Sequence, residues 1–322
     1  MKVSLAATVK DAGPHVGEFL ASVAAQSRPP DEVVVVDGGS TDGTLEALRD
    51  ATGVTLIEEP GANIARGRNI AVRAAAHDSI AVSDADCVLD REWLERIAEP
   101  LEGGADVSMG VYRPLARTFF EACAAAISIK DPDEVREDTF LPSARSVAFR
   151  RDAFERAGGY PEWMELGEDM YLNHRWRDLG VRMDLARGAV VYRRPRSDLP
   201  AYWRQFAGYA EHDALGGMHT VRHALRFAVY GGLAAALASR RRGLLGLAGL
   251  AAAAYAAGPV RRARRRMPPG RERLAAVVVV PALMAVTDLA KMAGYVRGLR
   301  RRGGDPGGAR QRSGDVSGRA GS

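Results

Sequence analysis

The sequence predicts an α/β protein with a mostly parallel central sheet, followed by apolar helices that associate with a membrane. Short apolar strands alternate with amphipathic helices from the first residues onward. Acidic residues follow these strands where each one ends, and long apolar runs with arginine clusters fill the last part of the chain. At 322 residues, the chain is long enough for one large domain or two smaller ones.

The alternating elements occupy the first part of the chain. Strands are predicted at residues 3–9, 33–36, 54–57 and 80–82. The helices between them follow from apolar residues at helical spacing, such as Val16, Phe19 and Val23, and a further helix is predicted at 64–77. This alternation favours parallel strands joined by right-handed crossovers. Short apolar pieces within 181–191 could close the sheet.

Four acidic residues follow the predicted strands: Asp11, Asp37, Asp84 and Asp86. Ligands of parallel sheets bind at this carboxyl edge, so we expect the four side chains to share one site. Asp84 and Asp86 are two residues apart, and their carboxylates can meet at Mg²⁺ or Mn²⁺, which take oxygen ligands. Alternatively, this pair forms a solvated acidic turn. Asp37 accepts hydrogen bonds from a nucleotide, caps the turn at Gly39 and Ser40, or does both.

A second acidic pair, Glu168-Asp169, precedes apolar residues at helical spacing and is therefore expected at a helix N-terminus. The helix dipole favours negative charge there, so simple capping is one interpretation. The other is a general base, because a carboxylate can take the proton of an acceptor hydroxyl as it attacks a sugar. Arg68, on the helix predicted at 64–77, and Arg175 carry guanidinium groups suited to phosphates and carboxylates.

The character of the chain changes from Leu225. Apolar runs cover 227–238, 243–260 and 274–290, the last broken by Asp288. The first run is too short to span a bilayer, whereas the second approaches the ~20 residues required. The runs could instead form a buried helical cap on a soluble enzyme, and the first and third could lie in the membrane interface. Residues 303–322, rich in Gly, Arg and Ser, are predicted to be disordered.

The charge pattern favours a membrane over nucleic acid as a partner. The formal net charge is only +5, but arginines cluster at 261–266 and 300–302 beside the apolar runs. The aromatic and basic interleaving of RNA-binding sheets is missing. Cys87 and Cys123 form no CxxC pair and indicate reduced thiols in a cytosolic setting. The first apolar stretch is too short for a signal peptide, so we expect the N-terminal domain in the cytoplasm.

In this order, the motifs resemble those of the family-2 glycosyltransferases with a GT-A fold. The resemblance covers about residues 1–215, and we predict a domain there, a membrane-associated helical region at 222–298 and a tail at 303–322. Lys10 and Asp11 depart from the family, which usually has Asn and Glu there. The matching stretches are Thr8–Asp11, VVVVDGGSTDGT at 33–44, Arg68-Asn69, Asp84-Ala85-Asp86, RRDAFERAGGY at 150–160 and Gly167-Glu168-Asp169 with Arg175.

The resemblance implies an enzyme that transfers a sugar from a nucleotide-diphosphate sugar and inverts the anomeric centre. It implies Mn²⁺ or Mg²⁺ as the cofactor and a hydroxyl-bearing acceptor. The apolar helical region favours a lipid-linked acceptor as the other candidate. The implied roles are nucleotide-sugar binding by Thr8, Asp11, Asp37, Arg68 and Asp84, metal coordination by Asp86 with Asp84 beside it, and general base catalysis by Asp169. Glu168 and Arg175 are assigned to the acceptor side without a defined role.

The segment Tyr202–Asp213 is similar to a late motif of membrane-bound members of the family. Gln205 and Tyr209 match best and are candidates for gating the donor phosphate, although Gly208 stands where an Arg is expected. Two alternatives to a transferase at the cytoplasmic face of the cell membrane are kept. One is a non-catalytic membrane protein with a retained nucleotide-sugar-binding fold. The other is a sugar-nucleotide pyrophosphorylase, which is disfavoured because its Gly-rich loop with a Lys or Arg near the first strand is missing.

Overall fold

The computed structural model of the chain describes residues 1–239 and 242–304. Its contacts divide the chain into two compact units. The sheet unit comprises residues 1–117 and 128–195, and the helical unit comprises residues 118–127 and the described chain from Arg196 on. The domain boundaries predicted from the sequence stay a prediction. Of the tail predicted to be disordered, residues 305–322 lie outside the described residues.

The sheet unit alternates strands and helices. Its strands are β1 (Val3–Val9), β2 (Glu32–Asp37), β3 (Thr55–Glu58), β4 (Ser79–Asp84), β5 (Val88–Leu89), β6 (Val107–Pro114), β7 (Val147–Arg150) and β8 (Met183–Arg193). Its helices are α1 (His15–Ala24), α2 (Thr44–Arg49), α3 (Ile64–Ala74), α4 (Trp93–Glu102), α6 (Arg151–Arg156) and α7 (Glu168–Asp178). Between α4 and α6, the helix α5 (Phe119–Ser128) lies almost entirely in the helical unit.

The described strands form one sheet in the order β3-β2-β1-β4-β7-β6-β8-β5. β1 pairs in parallel with β2 and β4, β2 with β3, and β6 with β8. β7 runs antiparallel to β4 and β6, and β5 runs antiparallel to β8. The predicted α/β fold with a mostly parallel sheet is therefore confirmed. The apolar pieces predicted to close the sheet form β8, which ends two residues later than the predicted stretch.

Helix α3 ends three residues before the predicted end at His77. Ala75 already has an extended backbone, with φ −61° and ψ 132°. The guanidinium group of Arg151 donates to the carbonyl oxygens of Val72, Ala75 and His77 at 2.8, 2.5 and 3.0 Å. The end of a helix leaves carbonyl groups without intrahelical partners, and this arginine satisfies them. Because Arg151 lies far along the sequence, helical periodicity alone predicts too long a helix.

The core of the sheet unit lies on both faces of the sheet. Along β2, Val33 and Val35 pack into one buried cluster, and Val34 and Val36 pack into the other. Side chains alternate between faces along a strand, so the unbroken β-branched run serves two layers at once. This is why β2 is buried on both sides and why its last residue, Asp37, is held at a fixed position at the sheet edge.

Strand register brings the acidic edge together. Thr8 on β1 lies opposite Val36 on β2 and Asp84 on β4, so these strands end at the same level. Helix α3 packs closely beside this point. A Cβ atom at Gly67 would lie 3.0 Å from Cγ2 of Thr8, which is tighter than ordinary contact. The absence of a side chain at Gly67 thus lets α3 approach β1 and places the next residue, Arg68, at the strand ends.

The helical unit consists of α5 and four later helices: α8 (Leu199–Gly216), α9 (Thr220–Ser239), α10 (Arg242–Arg266) and α11 (Arg271–Gly304). Within the described residues, the segments Gly243–Arg266 and Arg271–Arg302 are long and apolar enough to cross a membrane, judged by length and composition. Helices α8 and α11 pack most closely where α11 carries glycines. A Cβ atom at Gly294 would lie 1.9 Å from the carbonyl oxygen of Ala207 on α8.

Replacing Gly294 by alanine is therefore expected to lower the free energy of unfolding by about 1–3 kcal/mol, because the obstacle is backbone and the helices must move apart. The matched control is Gly231→Ala on α9, where nothing lies within 4 Å of the added Cβ. There, the better helix propensity of alanine should raise stability by up to about 1 kcal/mol. Urea unfolding of the full chain in mild detergent measures both. Equal effects of the two substitutions would contradict the close packing of α8 and α11.

Candidate active site

A buried ion-paired cluster lies at the carboxyl edge of the sheet and centres on Arg68 of α3. The side chain of Arg68 is only 2% exposed. Its Nη2 atom donates to Oδ1 of Asp84 at 2.5 Å, and its Nη1 atom donates to Oε1 of Glu168 at the start of α7. Arg145 approaches the other oxygen of Asp84, with Nε 3.1 Å from Oδ2. One arginine thus joins the end of β4 to the start of α7.

Burial and charge act in opposite directions on these groups. Burial disfavours the charged form of Asp84, but Arg68 and Arg145 outweigh it and lower the pKa of Asp84 below its usual value. Burial likewise opposes the charge of Arg68, yet the two carboxylates raise its pKa. Burial and the neighbouring charge of Asp169 raise the pKa of Glu168 to about 7, against the effect of Arg68. Asp84 is therefore an ionised anchor, while Glu168 titrates near neutral pH.

Asp169 differs from Glu168 in its exposure. Asp169 is half-buried, whereas Glu168 is only 4% exposed. Oδ2 of Asp169 accepts a hydrogen bond from the backbone N–H of Ala144 at 3.3 Å. The carboxylate lines a recess together with Tyr160 and Asn173. Of the two acids, Asp169 is the more accessible, and it lies in the first turn of α7.

Two motifs that the sequence gave no separate role interlock beneath the cluster. The side-chain amide of Asn69 donates to the carbonyl oxygen of Tyr160 and accepts from its N–H, both at 2.9 Å. Gly159 has φ +73°, and a Cβ atom there would lie 3.0 Å from Oδ1 of Asn69. The ring of Tyr160 lies under the guanidinium of Arg68, 5.5 Å from Cζ to the ring centre. Asn69 thus holds the loop at Tyr160, and the ring of Tyr160 in turn supports the guanidinium group of Arg68.

Asp86 occupies an exposed position in the turn after β4. Its backbone carbonyl accepts a hydrogen bond from Nη1 of Arg194 at 2.8 Å, and the Cys87 thiol lies 3.3 Å from its Oδ1 atom. No group of three or more His, Cys, Asp or Glu side chains gathers as a metal cage in the described part of the chain. A single open carboxylate still fits Mg²⁺ or Mn²⁺, because these ions are commonly bound by one or two carboxylates together with substrate phosphates.

Arginines surround this turn, and sequence reasoning missed them. Arg145 pairs with Asp84, and the charge of Arg193 also lowers the pKa of that acid. Arg194 is held by the Asp86 carbonyl and by Glu18 of α1. Arg193 ends β8, and only the pairing of β8 with the rest of the sheet brings it to this edge. The turn after β4 is therefore acidic in its own sequence, but arginines from other parts of the chain surround it in the structure. We call Arg193 and Arg194 the rim arginines.

The remaining nucleotide-binding candidates lie at the ends of β1 and β2. Asp37 is 1% exposed and accepts hydrogen bonds from the backbone N–H groups of Gly39 and Ser40 at 2.8 and 2.9 Å, which is the turn-capping interpretation. Asp11 is exposed, has φ +50°, and accepts from the N–H of Thr41 at 2.8 Å. Thr8 is buried beside Gly67. Contacts from these three side chains to a nucleotide stay predictions.

The three remaining candidates lie later in the chain than Glu168 and Asp169. Arg175 is on the last turn of α7, at the opposite end from Glu168 and Asp169. Gln205 and Tyr209 are neighbours on α8 of the helical unit, where Nε2 of Gln205 donates to the Tyr209 hydroxyl at 3.0 Å. The predicted roles of these three residues, including the gating of a donor phosphate, stay predictions.

Comparisons with known proteins bear on this arrangement. Residues 4–122 match the model of Glycosyl transferase family 2. The O-antigen chain rhamnosyltransferase RfbN of Salmonella typhimurium is 27% identical over 59% of this chain and 66% of its own length. The succinoglycan biosynthesis protein ExoA of Rhizobium meliloti is 28% identical over 58% of this chain and 63% of its own. The matches thus span slightly less than two thirds of these relatives.

Among solved structures, the mannosyltransferase PcManGT from Pyrobaculum calidifontis in complex with GDP-Man and Mn²⁺ is similar to this chain. The TM-score is 0.57 at 23% identity, with 94% of this chain and 88% of that chain covered. At this identity the likeness establishes the fold. The sheet order and these matches show a GT-A fold, and the sequence is similar to glycosyltransferases. Residues 4–122 match the model of glycosyltransferase family 2, so the predicted resemblance to this family is confirmed.

Proposed function

We propose that the chain is an inverting glycosyltransferase that moves a sugar from a nucleotide-diphosphate sugar to a hydroxyl or lipid-phosphate acceptor at the cytoplasmic face of the membrane. The observation that carries this proposal is the pairing of Arg68 with both Asp84 and Glu168. It joins the predicted donor side, at the end of β4, to the predicted base side, at the start of α7. The solved complex of the similarly folded PcManGT with GDP-Man and Mn²⁺ supports a donor and a metal of these kinds.

On the donor side, Asp86 would hold a divalent ion, Mn²⁺ or Mg²⁺. When bound, such an ion supplies positive charge that stabilises the departing diphosphate. The rim arginines Arg193 and Arg194 add positive charge at the same strand end, where guanidinium groups suit phosphate. Asp84, which Arg68 and Arg145 keep ionised, presents a fixed carboxylate to the ribose side of the nucleotide. The side chains of the chain thus hold the nucleotide and balance its charge.

On the acceptor side, Asp169 takes the proton of the acceptor as its oxygen attacks the anomeric carbon. The new carbon–oxygen bond forms on the face opposite the diphosphate, whose bond to the sugar breaks with the electron pair leaving on the diphosphate oxygen. The anomeric centre is therefore inverted. Because the leaving group is already an anion whose charge is balanced at the strand end, no second carboxylic acid is needed to protonate it, unlike in a glycosidase.

A membrane-bound acceptor is supported by the helical unit and by two relatives. Two helices of the helical unit are long and apolar enough to cross a bilayer, and arginines cluster at their ends. The names of the two relatives refer to the O-antigen chain and to succinoglycan biosynthesis. A growing saccharide carried on a lipid phosphate would bring its acceptor oxygen to the membrane surface, where an enzyme held at that surface can reach it.

Metal coordination by Asp86 predicts a measurable loss in the variant Asp86→Asn. The Mn²⁺ affinity in the presence of a nucleoside diphosphate should fall by at least about 10-fold, the low end of the effect of removing even an outer partner of a metal ligand. Electron paramagnetic resonance, which detects free Mn²⁺, measures this affinity. The Mn²⁺ dependence of diphosphate release is measured alongside. The control Asp90→Asn, at another acid near the strand ends, should keep the wild-type affinity. Unchanged affinity in Asp86→Asn would refute the assignment.

A further inference from the structure

Strand pairing brings Arg145 to the end of β4. Strand β7 runs antiparallel to β4, with Val147 opposite Val82. The residues just before β7 therefore lie beside the residues that end β4. There, Nε of Arg145 is 3.1 Å from Oδ2 of Asp84. The direction of β7, which no local pattern in the sequence indicates, thus makes Arg145 part of the predicted donor side.

The residue before Arg145 contacts the predicted base side. The backbone N–H of Ala144 donates to Oδ2 of Asp169 at 3.3 Å. Two consecutive residues therefore contact Asp84 on one side of the site and Asp169 on the other. In the proposed reaction, the nucleotide lies toward Asp84 and the acceptor lies toward Asp169. The bond that breaks, between the anomeric carbon and the diphosphate, therefore lies between these two carboxylates, and so does Arg145.

The segment that carries Arg145 is held by contacts that do not involve its guanidinium group. Nδ2 of Asn173 donates to the carbonyl oxygen of Pro142 at 2.6 Å. The backbone N–H of Ser143 donates to the hydroxyl of Tyr112 at 2.6 Å, and this hydroxyl donates to the carbonyl oxygen of Ser143 at 3.1 Å. Replacing the side chain of Arg145 should therefore leave the backbone of this segment in place.

Arg145 is the more accessible of the two arginines that pair with Asp84. The side chain of Arg68 is 2% exposed and pairs with two carboxylates, whereas the side chain of Arg145 is 21% exposed. A guanidinium group carries five N–H donors, enough to hold one carboxylate and still donate to a phosphate. Because the backbone under Arg145 is fixed, its charge is already in place before a ligand arrives.

We propose that Arg145 is a catalytic residue that donates N–H groups to the departing phosphate of the nucleotide-diphosphate sugar. When the bond between the anomeric carbon and the phosphate oxygen breaks, the electron pair stays on that oxygen. The guanidinium group stabilises the negative charge that develops there. It gives up no proton, because arginine stays charged. This proposal rests on the proposed function and adds to it the residue that meets the leaving group.

Nucleotide binding by Arg145→Gln tests this contact without requiring sugar transfer. The dissociation constants of the uridine, guanosine, cytidine and thymidine diphosphates, and of the matching monophosphates, are measured at saturating Mn²⁺ on the full chain. For a nucleotide that the wild type binds, the diphosphate affinity should fall by about 10- to 100-fold, the contribution of a hydrogen bond to a charged group. The monophosphate affinity should fall much less.

The monophosphates reveal whether Arg145 acts only through Asp84. Both kinds of nucleotide carry the ribose, which is the predicted partner of Asp84. An equal fall in the affinity for monophosphates and diphosphates would therefore show that Arg145 only holds Asp84 in place, and it would overturn the proposal. Unchanged affinity for the diphosphates would overturn it as well.

Two further variants serve as controls. Arg145→Lys keeps the positive charge without the planar fork and should recover part of the lost diphosphate affinity. Arg96→Gln removes an exposed arginine of α4 that pairs with Glu92 and Glu99, and it should bind both kinds of nucleotide as the wild type does. If the wild type binds none of the diphosphates, the donor site of the proposed function fails, and this proposal fails with it. If the wild type binds them and Arg145→Gln does not discriminate, only this proposal fails.

Discussion

Replacing Asp169 by asparagine is expected to lower the rate of sugar transfer by about 10²–10⁴-fold, the usual contribution of a general base. Asparagine preserves the shape of the side chain and can still accept the hydrogen bond from the Ala144 N–H, but it cannot take a proton. Nucleotide-sugar binding should therefore stay close to that of the wild type. The rate at saturating donor and the dissociation constant of the donor, measured on the same preparation, separate these two effects.

Glu168→Gln is the matched control for this prediction, because it removes a charge one residue away. Glu168 has a raised pKa of about 7, which by itself would suit a base near neutral pH. It is nevertheless buried and paired with Arg68, so an acceptor cannot reach it. We expect this variant to lose much less activity than Asp169→Asn. Full transfer activity in Asp169→Asn, or an equal loss in Glu168→Gln with donor binding intact, would contradict the assignment of the base.

The second large effect is expected from Arg68→Met. Removing one partner of a buried ion pair costs about 3–5 kcal/mol, because charge is left buried without compensation. The loss should lie near the lower end, since Asp84 keeps Arg145 and Glu168 can take a proton. Urea unfolding followed by tryptophan fluorescence measures it, because Trp93 and Trp176 are buried in the sheet unit. We expect a loss of stability of this size, accompanied by a loss of transfer activity.

The effect of Arg68→Met should also depend on pH. Burial and Asp169 hold the pKa of Glu168 above its unfolded value, and removing Arg68 removes the group that opposes this shift. A carboxyl with a raised folded-state pKa favours folding at low pH, and this stability is lost as the pH rises through the folded-state pKa. The variant should therefore lose more stability than the wild type between pH 5 and about pH 8. A difference in the free energy of unfolding between the two proteins that stays constant across this pH range would contradict this account.

Arg66→Met provides the control, two residues earlier on the same helix. Arg66 also pairs with a carboxylate, Glu59, but its side chain is 53% exposed. Exposed ion pairs contribute about 0–1 kcal/mol, so this variant should be nearly as stable as the wild type. If the two substitutions cost the same, Arg68 would be an ordinary surface arginine, and the cluster would not hold the strand end to α7.

The sheet and its acidic edge could be predicted from the sequence because both follow from local patterns. The β-branched run before Asp37 fixes a buried strand, and parallel pairing then brings Asp37 and Asp84 to one edge. The start of α7 at Glu168 was likewise visible in the helical spacing that follows it. In each case, residues close in sequence carry the information, and one general rule about parallel sheets supplies the rest.

The contacts that complete the site could not be predicted, because they join residues far apart in the chain. Arg68 and Glu168 are 100 residues apart, Asn69 and Tyr160 are 91 apart, and Asp86 and Arg194 are 108 apart. No periodicity links such positions, so their partners depend on the order of strands in the sheet. The same holds for α5, whose apolar residues look like part of the sheet domain until they pack on α10 and α11.

The central claim is that the chain transfers a sugar from a nucleotide-diphosphate donor with a divalent metal and Asp169 as the base. Its most direct test is diphosphate release from a panel of nucleotide sugars by the full chain, with a lipid extract of the source organism as acceptor. The assay is run with Mn²⁺ or with EDTA. We predict release from at least one donor that requires both the metal and Asp169. Binding of nucleotide sugars without release from any of them, in the presence of Mn²⁺ and acceptor, would contradict the claim.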